Sequence, residues 1–137
     1  MNETNVITLL NNKGMKFTKA ADQYSCFDAI DEKHKVIAEM KWRGRFYPDC
    51  LLEYKKYQAN KEYCEKNNYQ FIYCVTMPTP LGKGNRKTYV FEPLKMRNID
   101  WTNDRFCRST QFSGNQTTIN KQVTYLPITQ SLSVIEH

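Results

Sequence analysis

The chain is predicted to be an α/β protein: a mixed sheet flanked by helices in the order helix, strand, strand, helix, strand, with a β-rich C-terminal extension. Three observations lead there. Residues 24–30 and 36–42 are rich in aromatic and aliphatic side chains, and residues 31–35 between them hold no large apolar one, as a hairpin turn would. A long helical pattern follows the hairpin. Behind it, residues 69–77 (Tyr-Gln-Phe-Ile-Tyr-Cys-Val-Thr-Met) are the clearest strand in the sequence. A strand, a helix and a strand in succession make a crossover that lays the last strand parallel to the first.

Residues 3–11 carry Val6, Ile7, Leu9 and Leu10, consistent with a short helix. Glu3 stands in its first turn, where the helix dipole favours an acid, and Asn11-Asn12-Lys13-Gly14 is a stop signal with Gly14 able to take a left-handed cap. Residues 15–23 lead as an extended segment into the hairpin. Pro48-Asp49 resembles a helix start, so residues 49–67 read as the longest helix. Its core side is the stripe Cys50, Tyr54, Tyr57, Lys61 and Cys64, with Lys61 reaching outward on its aliphatic stem, and Asn67-Asn68 ends it. Residues 78–85 are rich in Pro and Gly and read as a loop before a short strand at 87–91. Residues 92–103 show little pattern, and Pro93 argues against a strand interior. Residues 106–112 and 121–127 are expected to pair across a polar loop at 113–120, with a mildly apolar tail beyond Pro127.

At 137 residues, 40% hydrophobic and 13% aromatic, the expectation is one folded domain spanning 1–137 rather than a disordered chain. No run of 18 apolar residues exists, so no membrane span or membrane partner is expected. The first residues lack the basic-then-apolar layout of a secretory signal. Cys26, Cys50, Cys64, Cys74 and Cys107 are an odd number at unrelated spacings, which suits reduced thiols in a cytoplasm better than disulfides or a zinc site. The net charge of +6 is unevenly spread. Residues 1–80 are nearly balanced, whereas residues 81–121 carry Lys83, Arg86, Lys87, Lys95, Arg97, Arg105, Arg108 and Lys121 against Glu92, Asp100 and Asp104. A basic segment of this kind suits a polyanion such as nucleic acid; its plainer role is a solvated surface.

Within the hairpin stand charges that a buried strand should avoid: Asp28 on the first strand, Glu39 and Lys41 on the second. Glu39 and Lys41 are two apart, so they emerge from one face of a strand, and the hairpin brings Asp28 alongside. Two carboxylates and an ammonium at one spot suit a hard cation. Phosphodiester hydrolysis needs an activated water and a sink for charge on the phosphate oxygens, and Mg²⁺ (or Mn²⁺) on one or two carboxylates supplies both. Asp28, Glu39 and the backbone carbonyl of Met40 are the candidate metal ligands. Asp28, Glu39 and Lys41 are the candidate catalytic residues, with Lys41 placed to orient the water and stabilise charge.

Asp28 followed eleven residues later by Glu39-Met40-Lys41, a Glu-x-Lys element, resembles the PD-(D/E)XK nuclease superfamily. The preceding helix, the hairpin, and the following helix and strand extend the resemblance over residues 3–77. Residues 109–112 and 120–127 are also similar to small phage-encoded proteins of that superfamily. The resemblance implies a restriction-endonuclease-like core and a Mg²⁺-dependent nuclease, acting on DNA more than RNA, in the cytoplasm (the host's, if the chain is phage-encoded). It also admits a homodimer, because many small nucleases cut both strands with two copies. Here Asp28 follows Phe27 where the superfamily's motif often has Pro-Asp. An acid on the first helix sometimes completes such sites, and Glu3 is the candidate; a polar residue of the following helix often lies near the scissile phosphate, for which Glu53, Lys56 and Gln58 are available.

Each residue has a plainer role. Glu-x-Lys is common on exposed strands. Asp31 competes with Asp28, although it stands where the turn begins and an Asp is ordinary. His34 is expected to be solvated in that turn. Arg43 and Arg45 are candidate phosphate contacts, as are Lys56, Gln58, Lys83, Arg86 and Lys87. Trp42 and Tyr47 suit base stacking or core packing. Two other functions remain open: a catalytically inactive nucleic-acid-binding module on the same fold, and a phage-type protein-interaction protein.

Overall fold

The computed structural model describes residues 3–20, 26–107 and 118–137, with the side chains of Glu3, Lys83, Cys107 and Thr118 outside that description. Helix α1 (Glu3–Asn12) buries Val6 and Leu10, one turn apart, and ends where Gly14 takes φ +105°. The Asn11 side chain locks the exit, donating to the Phe17 carbonyl at 3.0 Å and accepting from its amide at 2.7 Å. Strands β1 (Thr18–Lys19), β2 (Ala29–Asp31) and β3 (Val36–Trp42) follow, and β2 and β3 form the expected hairpin with Ile30 opposite Ile37. β2 is shorter than expected; residues 24 and 25 of its anticipated span lie outside the described residues.

The crossover is present: β3 runs parallel to β5 (Gln70–Thr79), with Glu39 opposite Tyr73 and Lys41 opposite Val75. With β6 (Gly82–Phe91) and β9 (Ser133–Glu136), the main sheet has the order β1-β2-β3-β5-β6-β9. Helix α1 packs on one face, where Val36, Ala38 and Met40 meet Val6, Leu10, Ile72, Val90 and Ile135. The other face carries Ile37, Phe71, Tyr73, Val75 and Phe91 against Cys64 of helix α2 (Tyr54–Asn67). The same core cluster takes in Cys50, Leu52 and Leu126 from a second sheet, formed by β4 (Asp49–Glu53), β8 (Thr118–Pro127) and β7 (Thr102–Cys107) in the order β4-β8-β7. No described helix is long and apolar enough to cross a membrane.

Three expectations are corrected. Residues 49–53 are a strand rather than the start of a helix. β4 pairs antiparallel with β8, Cys50 opposite Leu126 and Leu52 opposite Thr124, and Cys50 and Leu52 are buried at period two. The proposed stripe therefore mixed two periods, and the residues the helix buries are Asn60 and Cys64. Residues 78–85 are a strand hairpin: β5 runs to Thr79 and β6 starts at Gly82, with a register shift between Pro78 and Thr79. Pro78 is tolerated because the ladder to β3 ends at Thr76, so the edge that would need its N–H is unpaired there. β7 starts at Thr102, four residues before the expected strand, and pairs Thr102 with Val123 and Cys107 with Thr118; residues 108–117 lie outside the described residues. The tail beyond Pro127 makes a short 3-10 turn and then β9, whose Ile135 is buried at the edge of the main sheet.

Candidate active site

Glu39 and Lys41 project from β3 toward α2, on the face that carries Ile37. Asp28 lies one residue before the first β2–β3 pair, Ala29 with Ala38. Its amide donates to the Ala38 carbonyl at 2.8 Å, and its Oδ2 accepts from the Met40 amide at 2.7 Å. The carboxylate thus takes over a ladder position beside β3 and comes to rest next to Glu39 and Met40. A strand residue turns its N–H and C=O to the same edge. The Met40 carbonyl therefore faces the Asp28 side, while Arg43 bonds β5 through the Thr76 carbonyl.

The Glu39 side chain is only 3% exposed, and its Oε1 lies 3.8 Å from Lys41 Nζ and 3.8 Å from Lys56 Nζ. At that length both are charge contacts rather than hydrogen bonds. The two ammoniums are about one-third exposed, so they bridge a buried carboxylate and solvent. Lys56 reaches Glu39 because α2 lies across this face. Asn60, fully buried one turn further along α2, donates to the Lys56 carbonyl at 2.8 Å and to the Cys26 carbonyl at 3.0 Å. It thereby clamps the segment entering Asp28 to the helix that carries Lys56. Glu53, at the N-terminus of α2, pairs with Lys121 of β8 at 2.9 Å. Burial alone would raise its carboxyl, but Lys121, and beyond it Lys41 and Lys56, hold it below the usual carboxylate value.

The remaining candidates are scattered. Asp31 is fully buried and structural, accepting from the amides of Lys16 (2.8 Å) and His34 (2.9 Å) and meeting His34 Nδ1 at 2.7 Å. His34 is thus bound to Asp31 rather than simply solvated. Arg43 acts by charge on the buried Tyr73 hydroxyl and the Cys50 thiol. Arg86 bonds the Arg43 carbonyl at 2.9 Å and covers the Trp42 ring at 4.6 Å, on the α1 face of the sheet away from Glu39. Lys87 pairs with exposed Glu136 at 3.7 Å. Arg45 is exposed and Gln58 is half-buried on α2. The side chains of Glu3 and Lys83 lie outside the described residues. Sequence reasoning missed Asn60 as a clamp, although Lys56, Asn60 and Cys64 at spacings of four mark the helix face that holds it. Nothing in the sequence signalled the Glu53–Lys121 pair, whose members are 68 positions apart.

Asp28, bonded to the Met40 amide, and the adjacent Glu39 would, with the Met40 carbonyl, offer hard oxygen donors of the kind that suit a divalent cation such as Mg²⁺ or Mn²⁺. Among the described residues no group of three or more His, Cys, Asp and Glu side chains converges. No protein-family model matches the chain, and the search of curated proteins found no match. Among solved structures it is similar to Hjc of Archaeoglobus fulgidus, a Holliday junction resolvase from an archaeal hyperthermophile, at 13% identity and a TM-score of 0.54, covering 92% of this chain and 96% of that one. At that identity the likeness speaks for the fold. The chain has a restriction-endonuclease-like fold: a mixed sheet with a helix on either face and the β-rich additions described above.

Proposed function

We propose that residues 1–137 act as one domain, a metal-dependent nuclease of the PD-(D/E)XK type that hydrolyses phosphodiester bonds in DNA. The reading is supported by the bond that holds Asp28 against the Met40 amide, between Glu39 and Lys41, whose side chains lie 3.8 Å apart, on a restriction-endonuclease-like sheet. Asp28, Glu39 and the Met40 carbonyl would hold the ion. When bound, such an ion supplies charge neutralisation at the phosphate and acidification of a water. Lys41, about one-third exposed beside Glu39, orients the attacking water and offsets charge developing on the phosphate oxygens. Lys56 presents a second ammonium from the helix side, within reach of the same phosphate. The free thiols of Cys26, Cys50, Cys64 and Cys74 suit action in a reducing compartment, and cutting two strands would take two copies of the chain.

The test is cleavage of plasmid, single-stranded and branched DNA with Mg²⁺ or with EDTA. Branched DNA is included because the structural neighbour is a Holliday junction resolvase. Cutting that needs Mg²⁺ and is lost in Lys41→Ala and Asp28→Asn is expected; wild type and Lys41→Ala cutting equally would sink the assignment. A second reading, a DNA-binding module without scission, is favoured by the presence of only two carboxylates at the centre among the described residues. It predicts binding that weakens steeply with salt and no Mg²⁺-dependent cutting of any substrate.

A further inference from the structure

Next to the candidate centre, between the end of β3 and the second sheet, lies a cavity of about 290 Å³ with Val75 at its wall. Tyr47, Phe106 and Tyr125 line it, together with Arg43 and the exposed carboxylate of Asp49. Of the large hydrophobic side chains left exposed among the described residues, the two aromatic ones are Tyr47 at 43% and Tyr125 at 44%, and both are here. Tyr125 is held in place by a 2.5 Å hydrogen bond from its hydroxyl to Asp104. The volume is at the small end for ligand sites, enough for one planar group rather than an extended molecule. Arg43 stands four residues beyond Glu39, one past the end of β3, which puts the cavity about 13 Å further along the chain's course, a few nucleotides from the phosphate at Glu39.

Aromatic rings that stay wet in a free protein, grouped with a guanidinium around a slot for one ring, are the chemistry that holds an unstacked base. We propose that this cavity takes one unstacked nucleobase of bound DNA, whatever its identity, since every base has a face to stack. The proposal rests on the nuclease reading for the role of DNA. It makes unpaired or branched DNA, where a base is free to leave the stack, the preferred substrate.

The experiment is done in EDTA, so that only binding is read. Fluorescence anisotropy compares duplexes carrying one unpaired cytosine or an abasic residue at the same position. Wild type should bind the cytosine form roughly ten- to a hundredfold tighter than the abasic form, the range of a base stacked on an aromatic ring. Tyr47→Ala combined with Tyr125→Ala should bind both forms alike. Wild type binding cytosine and abasic forms within twofold overturns the proposal. Should the tyrosine variants misfold, 2-aminopurine at the unpaired position reads the same event in wild type, because leaving the duplex stack for the cavity changes its emission; fluorescence unchanged on saturation also overturns the proposal. Absence of Mg²⁺-dependent cutting alongside a retained preference for the cytosine over the abasic form would remove the nuclease reading and leave this site standing.

Discussion

Replacing Asp31 by Asn tests the separation of the two hairpin acids, Asp31 as a structural acid and Asp28 as the proposed metal ligand. The Asp31 carboxylate is fully buried; Oδ1 accepts from the His34 amide, and Oδ2 accepts from the Lys16 amide and meets the His34 ring. An asparagine keeps one acceptor oxygen and turns an NH₂ group on the donors that met the other. The change removes a charge-assisted hydrogen bond and leaves a buried amide facing a donor, for a loss of roughly 2–4 kcal/mol. That is a large part of the ~5–15 kcal/mol that holds such a domain together, yet the variant should still fold. The loss should also depend on pH. Burial would raise the Asp31 carboxyl, but the His34 amide, the Lys16 amide and the His34 ring outweigh it and hold it below the ordinary value. Its contribution is therefore complete above the unfolded value near ~3.9 and is lost as pH falls through the lower folded value. Urea unfolding followed by tryptophan fluorescence should show the wild-type advantage at pH 7 and its decline toward pH 2.5. A difference under ~0.5 kcal/mol, or one constant with pH, would refute the reasoning. Mn²⁺ binding should survive Asp31→Asn and weaken in Asp28→Asn; the reverse result would exchange their roles.

Asn60→Leu keeps volume but removes the amide that ties the Cys26 carbonyl to α2, so cleavage should fall between ten- and a hundredfold while the helix content by circular dichroism is retained; unchanged cleavage would show that the clamp does not position Asp28. Tyr73→Phe deletes the 2.6 Å hydrogen bond to the Leu51 carbonyl that links the two sheets, and should lower stability by about 1–2 kcal/mol in urea with an unchanged slope. Burial pushes the thiols of Cys50, Cys64 and Cys74 up to about 12, 11 and 12. Thiol reagents at pH 8 should therefore label them only on unfolding, and rapid native labelling of Cys74 by mass spectrometry would contradict the buried placement.

Much of the main sheet was legible because its signals are local. Apolar runs at 36–42 and 69–77 with a helix between them imply a parallel pair, and Gly14 after Asn11-Asn12 marks the end of α1. The spacing from Asp28 to Glu39-x-Lys41 was readable for the same reason: a hairpin and a two-residue strand repeat are short-range geometry. The sequence also separated Asp31 from Asp28 by turn chemistry, and the buried, fully hydrogen-bonded Asp31 follows from that position. What sequence could not decide were contacts between distant segments. Residues 49–53 resemble a helix start until β8, about seventy residues later, supplies the strand that pairs with them. Lys56 meets Glu39, Asn60 meets Cys26 and Lys121 meets Glu53 only because α2 and the second sheet pack over one face of the first. Periodicity says which residues share a face; tertiary packing alone says which faces touch, and that is where the second lysine, the clamp and the aromatic cavity arise.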